Sequence, residues 1–187
     1  MSKVLVLFYS RTGNTAALAD AIAEGAGSVK FTEMELRRLD DLAPVSLIDA
    51  DEAWKTSRAA LAKKYRTLES VETLTDYDAL IVGSPARDGI VCAELKATLD
   101  QAAPLWARGA LRDKVGSAFG TVATPNGGHE TNIMSMLVPM MHLGMIIVAA
   151  DHSRGTDDLT VARSQGARVA KVAEWIRHAK SHEGHKH

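Results

Sequence analysis

Four apolar runs, over residues 4–9, 79–83, 115–122 and 144–149, do not alternate with polar positions. Each predicts a strand buried on both faces, as in a parallel sheet covered by helices on either side. A rougher, alternating stretch over 29–36 predicts an edge strand. Helix-forming patterns over 15–25, 92–103, 131–143 and 159–179 separate these runs. The alternation predicts an α/β fold, a doubly wound five-stranded parallel sheet with right-handed crossovers. Residues 37–78 are more than one crossover helix needs. They hold a helix over 51–65 that opens on Asp51 and Glu52 and carries Lys63, Lys64 and Arg66 near its end, as the helix dipole favours. This excursion is expected on the domain surface or against another subunit.

At 187 residues, 46% hydrophobic and 24% charged, the chain suits one soluble domain over 1–180. Residues 181–187, with three histidines, are expected to form a disordered tail, and no metal site is expected there because no further ligands flank it. A net charge of −1 gives no basic field for nucleic acid. No apolar run is long enough for a membrane span, so a cytoplasmic protein is expected. The single cysteine, Cys92, excludes an intrachain disulfide, suits a reducing compartment and reads as a buried structural thiol.

The chemistry begins where the first strand empties into Ser10, Arg11, Thr12, Gly13, Asn14 and Thr15 ahead of a helical run. Backbone N–H groups and the helix dipole attract an anion there, the hydroxyls add donors, and Gly13 lets the chain turn tightly. A nucleoside triphosphate loop would need a lysine in register, and a dinucleotide fingerprint would need Gly-x-Gly-x-x-Gly; neither is present. What remains suits a terminal monoester phosphate such as that of flavin mononucleotide (FMN). The same residues would serve equally as a plain helix cap, and the turn alone does not choose. In a flavodoxin-like sheet of order 2-1-3-4-5, ligands gather at the carboxyl ends of the strands beside the first and third. Three loops should therefore converge: 10–15, 84–89 and 121–128.

Taken in order, the first strand with its loop, Gly83-Ser84-Pro85-Ala86-Arg87-Asp88-Gly89, Leu99-Asp100-Gln101, Leu105-Trp106-Ala107-Arg108-Gly109-Ala110-Leu111, His142-Leu143-Gly144-Met145-Ile146-Ile147-Val148 and Ala162-Arg163-Ser164-Gln165-Gly166 resemble the WrbA-like family. Those proteins are flavodoxin-like NAD(P)H:quinone oxidoreductases. The resemblance implies non-covalent FMN, NAD(P)H as co-substrate, a small-molecule quinone as acceptor, and a homotetramer or homodimer whose sites are completed between subunits. It implies that residues 10–15 hold the phosphate, with Thr12 also near the nicotinamide nucleotide. Pro85, Ala86, Arg87, Asp88 and Gly89 would border the flavin ring. Thr121, Val122, Ala123, Thr124, Pro125 and Asn126 would follow the ribityl chain and the ring's polar edge. Trp106 would wall the substrate slot, and His142 would approach the flavin across a subunit boundary.

The chain departs from the family at Asp88, where an aromatic is common, at Pro125 in the glycine-rich loop, and at 150–158, where a long insertion is shortened. The plain alternatives are that Trp106 is a core plug, His142 a core or interface histidine and Arg87 a surface charge. Neither ring-flanking loop carries the aromatic that a one-electron carrier uses to cover its flavin. A ping-pong transfer of two electrons from NAD(P)H to a quinone is therefore expected. The rival readings are an electron-carrying flavodoxin, which a net charge of −1 disfavours, and a scaffold that no longer holds flavin.

Overall fold

In the computed structural model, which describes residues 1–125, 127–151 and 157–183, five parallel strands stand in the order β2-β1-β3-β4-β5. They are β1 (Ser2–Phe8), β2 (Thr32–Arg38), β3 (Ala79–Pro85), β4 (Val115–Thr121) and β5 (Ile146–Ile147). The helices are α1 (Asn14–Gly27), α2 (Val45–Asp49), α3 (Glu52–Lys64), α4 (Ala93–Asp100), α5 (Ala103–Ala107), α6 (His129–His142) and α7 (Asp158–Glu183). The expected flavodoxin-like order and two-sided helical cover are thus borne out.

The unbroken apolar run of β1 follows from its central position between β2 and β3. Val4, Val6 and Phe8 enter one core layer with Ile22 of α1 and Val169 of α7. Leu5, Leu7 and Tyr9 enter the opposite layer with Leu95 of α4 and Met136 of α6. Alternate side chains leave opposite faces of a strand, so both parities must be apolar here. On the first face α1 and α7 press together backbone to backbone. A Cβ added at Gly25 would fall 1.9 Å from the Arg163 carbonyl oxygen, and one at Gly166 would fall 1.9 Å from that of Ile22. A buried polar relay fixes α7 to the sheet: Gln165 Nε2 donates to Ser117 Oγ (2.8 Å), which donates to the Val148 carbonyl (2.6 Å).

Several boundaries differ from the sequence reading. The helix expected over 92–103 ends at Asp100 and restarts at Ala103, because Pro104 lacks the N–H that an unbroken helix needs and sits instead in the first turn of α5. The edge strand lies later than 29–36, at Thr32–Arg38, and none of its residues is fully buried. The last strand, expected over 144–149, shortens to Ile146–Ile147, although the Val148 N–H still donates to Gly116 (2.9 Å). The excursion holds α2, a 3-10 turn over Val71–Asp76 and the expected helix α3. The tail expected from 181 is helical as far as Glu183, and 184–187 lie outside the described residues. Among the described residues no helix is long and apolar enough to cross a membrane.

Candidate functional site

The turn after β1 is shaped by its own serine. Ser10 is buried, and its Oγ accepts from the N–H groups of Gly13 (3.1 Å) and Ala16 (3.3 Å). Its hydroxyl proton remains available outward. Gly13 is the N-cap of α1 with φ 99°, supplies no side-chain cap, and leads a first turn that holds no acid. Among the described residues, nothing in the protein accepts from the backbone N–H of Thr12, Asn14 or Thr15. A Cβ on Gly13 would meet nothing within 4 Å, so this backbone borders open space. Uncapped donors at the positive end of a helix, with no carboxylate to compete, fit a phosphate ester.

The loops after β3 and β4 are bolted to this turn and to each other. Thr15 Oγ1 and Thr121 Oγ1 share a hydrogen bond of 2.8 Å, and the Ala86 N–H donates to the Thr121 carbonyl at 2.7 Å. Arg87 and Ile90 exchange backbone bonds across Asp88 (φ 50°) and Gly89 (φ 80°), which makes a tight two-residue turn. An Asp-Gly pair suits that turn because both central residues adopt positive φ. The turn rests on α6: Thr131 Oγ1 donates to the Gly89 carbonyl (2.6 Å), and a Cβ at Gly128 would fall 2.7 Å from Gly89 Cα. Ser84 Oγ accepts from the Cys92 N–H (2.9 Å), while fully buried Asn132 donates to the Ser84 carbonyl (3.0 Å). Cys92 is buried and burial pushes its thiol up, which fits the structural reading.

Pro85 closes β3, and Ala86, Arg87 and Asp88 stand partly or fully exposed at the rim. Thr121 and Val122 are half-buried below exposed Ala123, Thr124 and Pro125. Asn126 lies outside the described residues. The three expected loops therefore meet at the carboxyl ends of β1, β3 and β4.

Sequence reasoning missed the neighbours of Arg11. Its guanidinium turns away from the loop, 3.8 Å over the Trp54 ring and 2.9 Å from Asp51. Asp51 is the N-cap of α3 and accepts from the Trp54 N–H (3.0 Å). That bond first, and then Arg11, hold its carboxyl below the usual range. Asp41, whose side chain is almost covered, accepts from Tyr9 Oη (2.8 Å) and Trp54 Nε1 (2.8 Å) and pairs with Arg58 (3.3 Å). The acidic start of the helix over 51–65 was the only signal in the sequence, and it says nothing of what the helix touches.

Trp106 and His142 are not brought to these loops. α6 begins at the loop end and runs 14 residues to His142, a length of roughly 20 Å. Trp106 is 63% exposed on α5, just ahead of β4, and the Asp113 N–H ties that turn to Gly144 beside His142 (2.9 Å). Both side chains therefore stand at the amino end of the sheet. Among the described residues no group of three His, Cys, Asp or Glu side chains is placed to hold a metal.

Residues 2–155 match the family model described as NADPH-dependent FMN reductase. A protein named NAD(P)H dehydrogenase (quinone) from Cupriavidus metallidurans is 40% identical over 153 residues, 82% of this chain and 73% of that protein. One of the same name from Nitrobacter winogradskyi is 39% identical over 171 residues, 89% of this chain and 82% of its own. Among solved structures, the WrbA-like flavodoxin of Agrobacterium tumefaciens superposes with a TM-score of 0.67 at 26% identity, covering 94% of this chain and 99% of that one. An archaeal flavodoxin shares the fold with a TM-score of 0.63 at 20% identity, covering 92% and 99%. The WrbA-like resemblance read from the ordered motifs is borne out.

Proposed function

Because the chain belongs to the NADPH-dependent FMN reductase family, we propose that it is an FMN-dependent NAD(P)H:quinone oxidoreductase that passes two electrons to a quinone by a ping-pong route. The observation that carries this reading is the set of uncapped amides at Thr12, Asn14 and Thr15, on a turn whose Gly13 borders open space where three strand-end loops meet. When bound there, FMN supplies the two-electron redox chemistry through its isoalloxazine. The amides of Thr12, Asn14 and Thr15 and the hydroxyls of Ser10, Thr12 and Thr15 would hold the phosphate. Residues 85–89 border the ring, and 121–126 follow the ribityl chain. Arg87 and Asp88, exposed at the rim, set the polarity of the slot. No aromatic lies in either rim loop, so the slot admits a nicotinamide and then a quinone in turn.

Trp106 and His142 stand too far from their own loops to serve them, so in this reading they serve those of another copy. Met134, Val138 and Met141 recur along α6 at helical spacing and are 42–50% exposed, an apolar stripe ending beside His142 that suits such a contact. A homotetramer or homodimer follows. Trp106 then walls the slot of its neighbour, and the His142 imidazole hands a proton to the quinone oxygen. A single buried thiol suits the reducing cytoplasm as the place of action.

The deciding experiment is an anaerobic visible spectrum of FMN-loaded protein, given NADH or NADPH and then a benzoquinone. Bleaching and recovery within a turnover time is the expected result. Bound flavin that ignores both nucleotides would make the protein an electron carrier, and a colourless protein would sink the phosphate-loop argument.

A further inference from the structure

Arg11 is the one cation between residues 10 and 15, yet its guanidinium is engaged by residues at the start of α3. Its guanidinium lies 3.8 Å over Trp54 with Nη2 2.9 Å from Asp51 Oδ2. Both partners are anchored: Asp51 Oδ1 caps α3 through the Trp54 N–H (3.0 Å), and the buried Trp54 indole donates to Asp41 (2.8 Å). Asp41 in turn takes the Tyr9 hydroxyl (2.8 Å). A closed ring of contacts, Tyr9 to Asp41 to Trp54 to Arg11, thus brackets Ser10 from both sides. Ser10 is the residue whose Oγ gathers the Gly13 and Ala16 N–H groups and so sets the turn.

We propose that Asp51 and Trp54 are positioning residues for the phosphate loop: by clasping Arg11 they preform the amide cradle and give the site its preference for FMN over unphosphorylated riboflavin. The inference rests on the FMN reading above. A loop already held in its binding shape loses little freedom when a ligand arrives. Asp51 also matches the charge of Arg11, so attraction for the phosphate stays with amides and hydroxyls.

The test is a pair of titrations, FMN and riboflavin, against purified variants, read by quenching of flavin fluorescence. Arg11→Met loses an exposed ion pair and a cation–π contact, and should weaken FMN about fivefold to tenfold. Asp51→Asn keeps the stacking and should weaken FMN about threefold. Arg11→Lys restores the pair with Asp51 and should recover part of the loss. Riboflavin affinity should stay within about twofold throughout, since it has no phosphate for the cradle. Lys64→Met removes the ion pair of α3 with Asp20 at its far end and should leave both flavins unchanged.

Equal losses for FMN and riboflavin would overturn the proposal, as a general loosening of the domain. Tighter FMN binding in Asp51→Asn would also overturn it, by showing that Arg11 acts as a charge on the anion. Wild-type protein that binds riboflavin as well as FMN would overturn the phosphate-loop reading itself, and the clasp with it.

Discussion

Thr15, in the first turn of α1, and Thr121, the last residue of β4, join their hydroxyls at 2.8 Å across 106 positions of sequence. This bond couples the loop proposed to hold the phosphate to the loop proposed to follow the ribityl chain. Thr121→Val keeps the shape and leaves the buried Thr15 hydroxyl without its partner. It should cost about 1 kcal/mol of stability, measured by urea unfolding, and should weaken FMN binding in the same titration.

The contact between α1 and α7 is limited by backbone, so it has no room to relax. Gly166→Ala forces the helices apart at Ile22 and should destabilise the fold by about 2–3 kcal/mol. Thermal melts of Gly166→Ala beside Gly27→Ala, where a Cβ meets nothing within 4 Å, would separate overpacking from helix propensity.

All three tyrosines are held protonated. Tyr9, Tyr65 and Tyr77 each donate to a carboxylate, of Asp41, Asp20 and Glu35. Burial is the first cause of each upward shift, and Tyr77 is pushed up to about 12. A phenol whose folded pKa lies above its unfolded value of about 10 adds stability that is whole below that pH. The contribution is lost as pH rises through the folded value, because the unfolded chain then sheds protons first. Native protein at pH 10 should show less phenolate absorbance than urea-unfolded protein, which should show about half of the full signal. Tyr77→Phe should flatten the loss of stability between pH 10 and about 12.

If sites are completed between copies, a flavin-free variant and a slot-wall variant should rescue one another. Gly13→Asp places a carboxylate in the phosphate loop and should abolish flavin binding. Trp106→Ala should keep FMN and lower kcat/KM for the quinone about tenfold. Mixed and re-annealed, the pair should regain more activity than either variant alone in the benzoquinone assay. No gain on mixing would confine each site to one protomer.

The sheet was legible because a run such as 4–9, apolar at both parities, short and closed by a turn, fits a strand covered on both faces. The turn proposed to hold the phosphate was legible as a turn for a local reason too, since hydroxyls, glycine and a following helix are neighbours in sequence. What the sequence did not yield depends on distant contacts. The Arg11 side chain stands in the loop but turns to α3, a choice made by Trp54 and Asp51 about 40 positions on. His142 was expected to reach a flavin across a subunit boundary, whereas for Trp106 only the direction of α5 shows that its own protomer cannot use it. The short α2 carries no period long enough to read, and the break before α5 turns on the single residue Pro104.

The close seat of Gly25 against Arg163 and of Gly166 against Ile22 also sets an order of events at the ribosome. α1, the helix that presents the phosphate loop, rests on a helix that is translated more than 130 residues after it. A domain folds as a unit, so the loop, though translated early, is seated only once α7 has followed. Cofactor loading then belongs to the finished chain, and a nascent chain stalled before α7 has no firm cradle to offer.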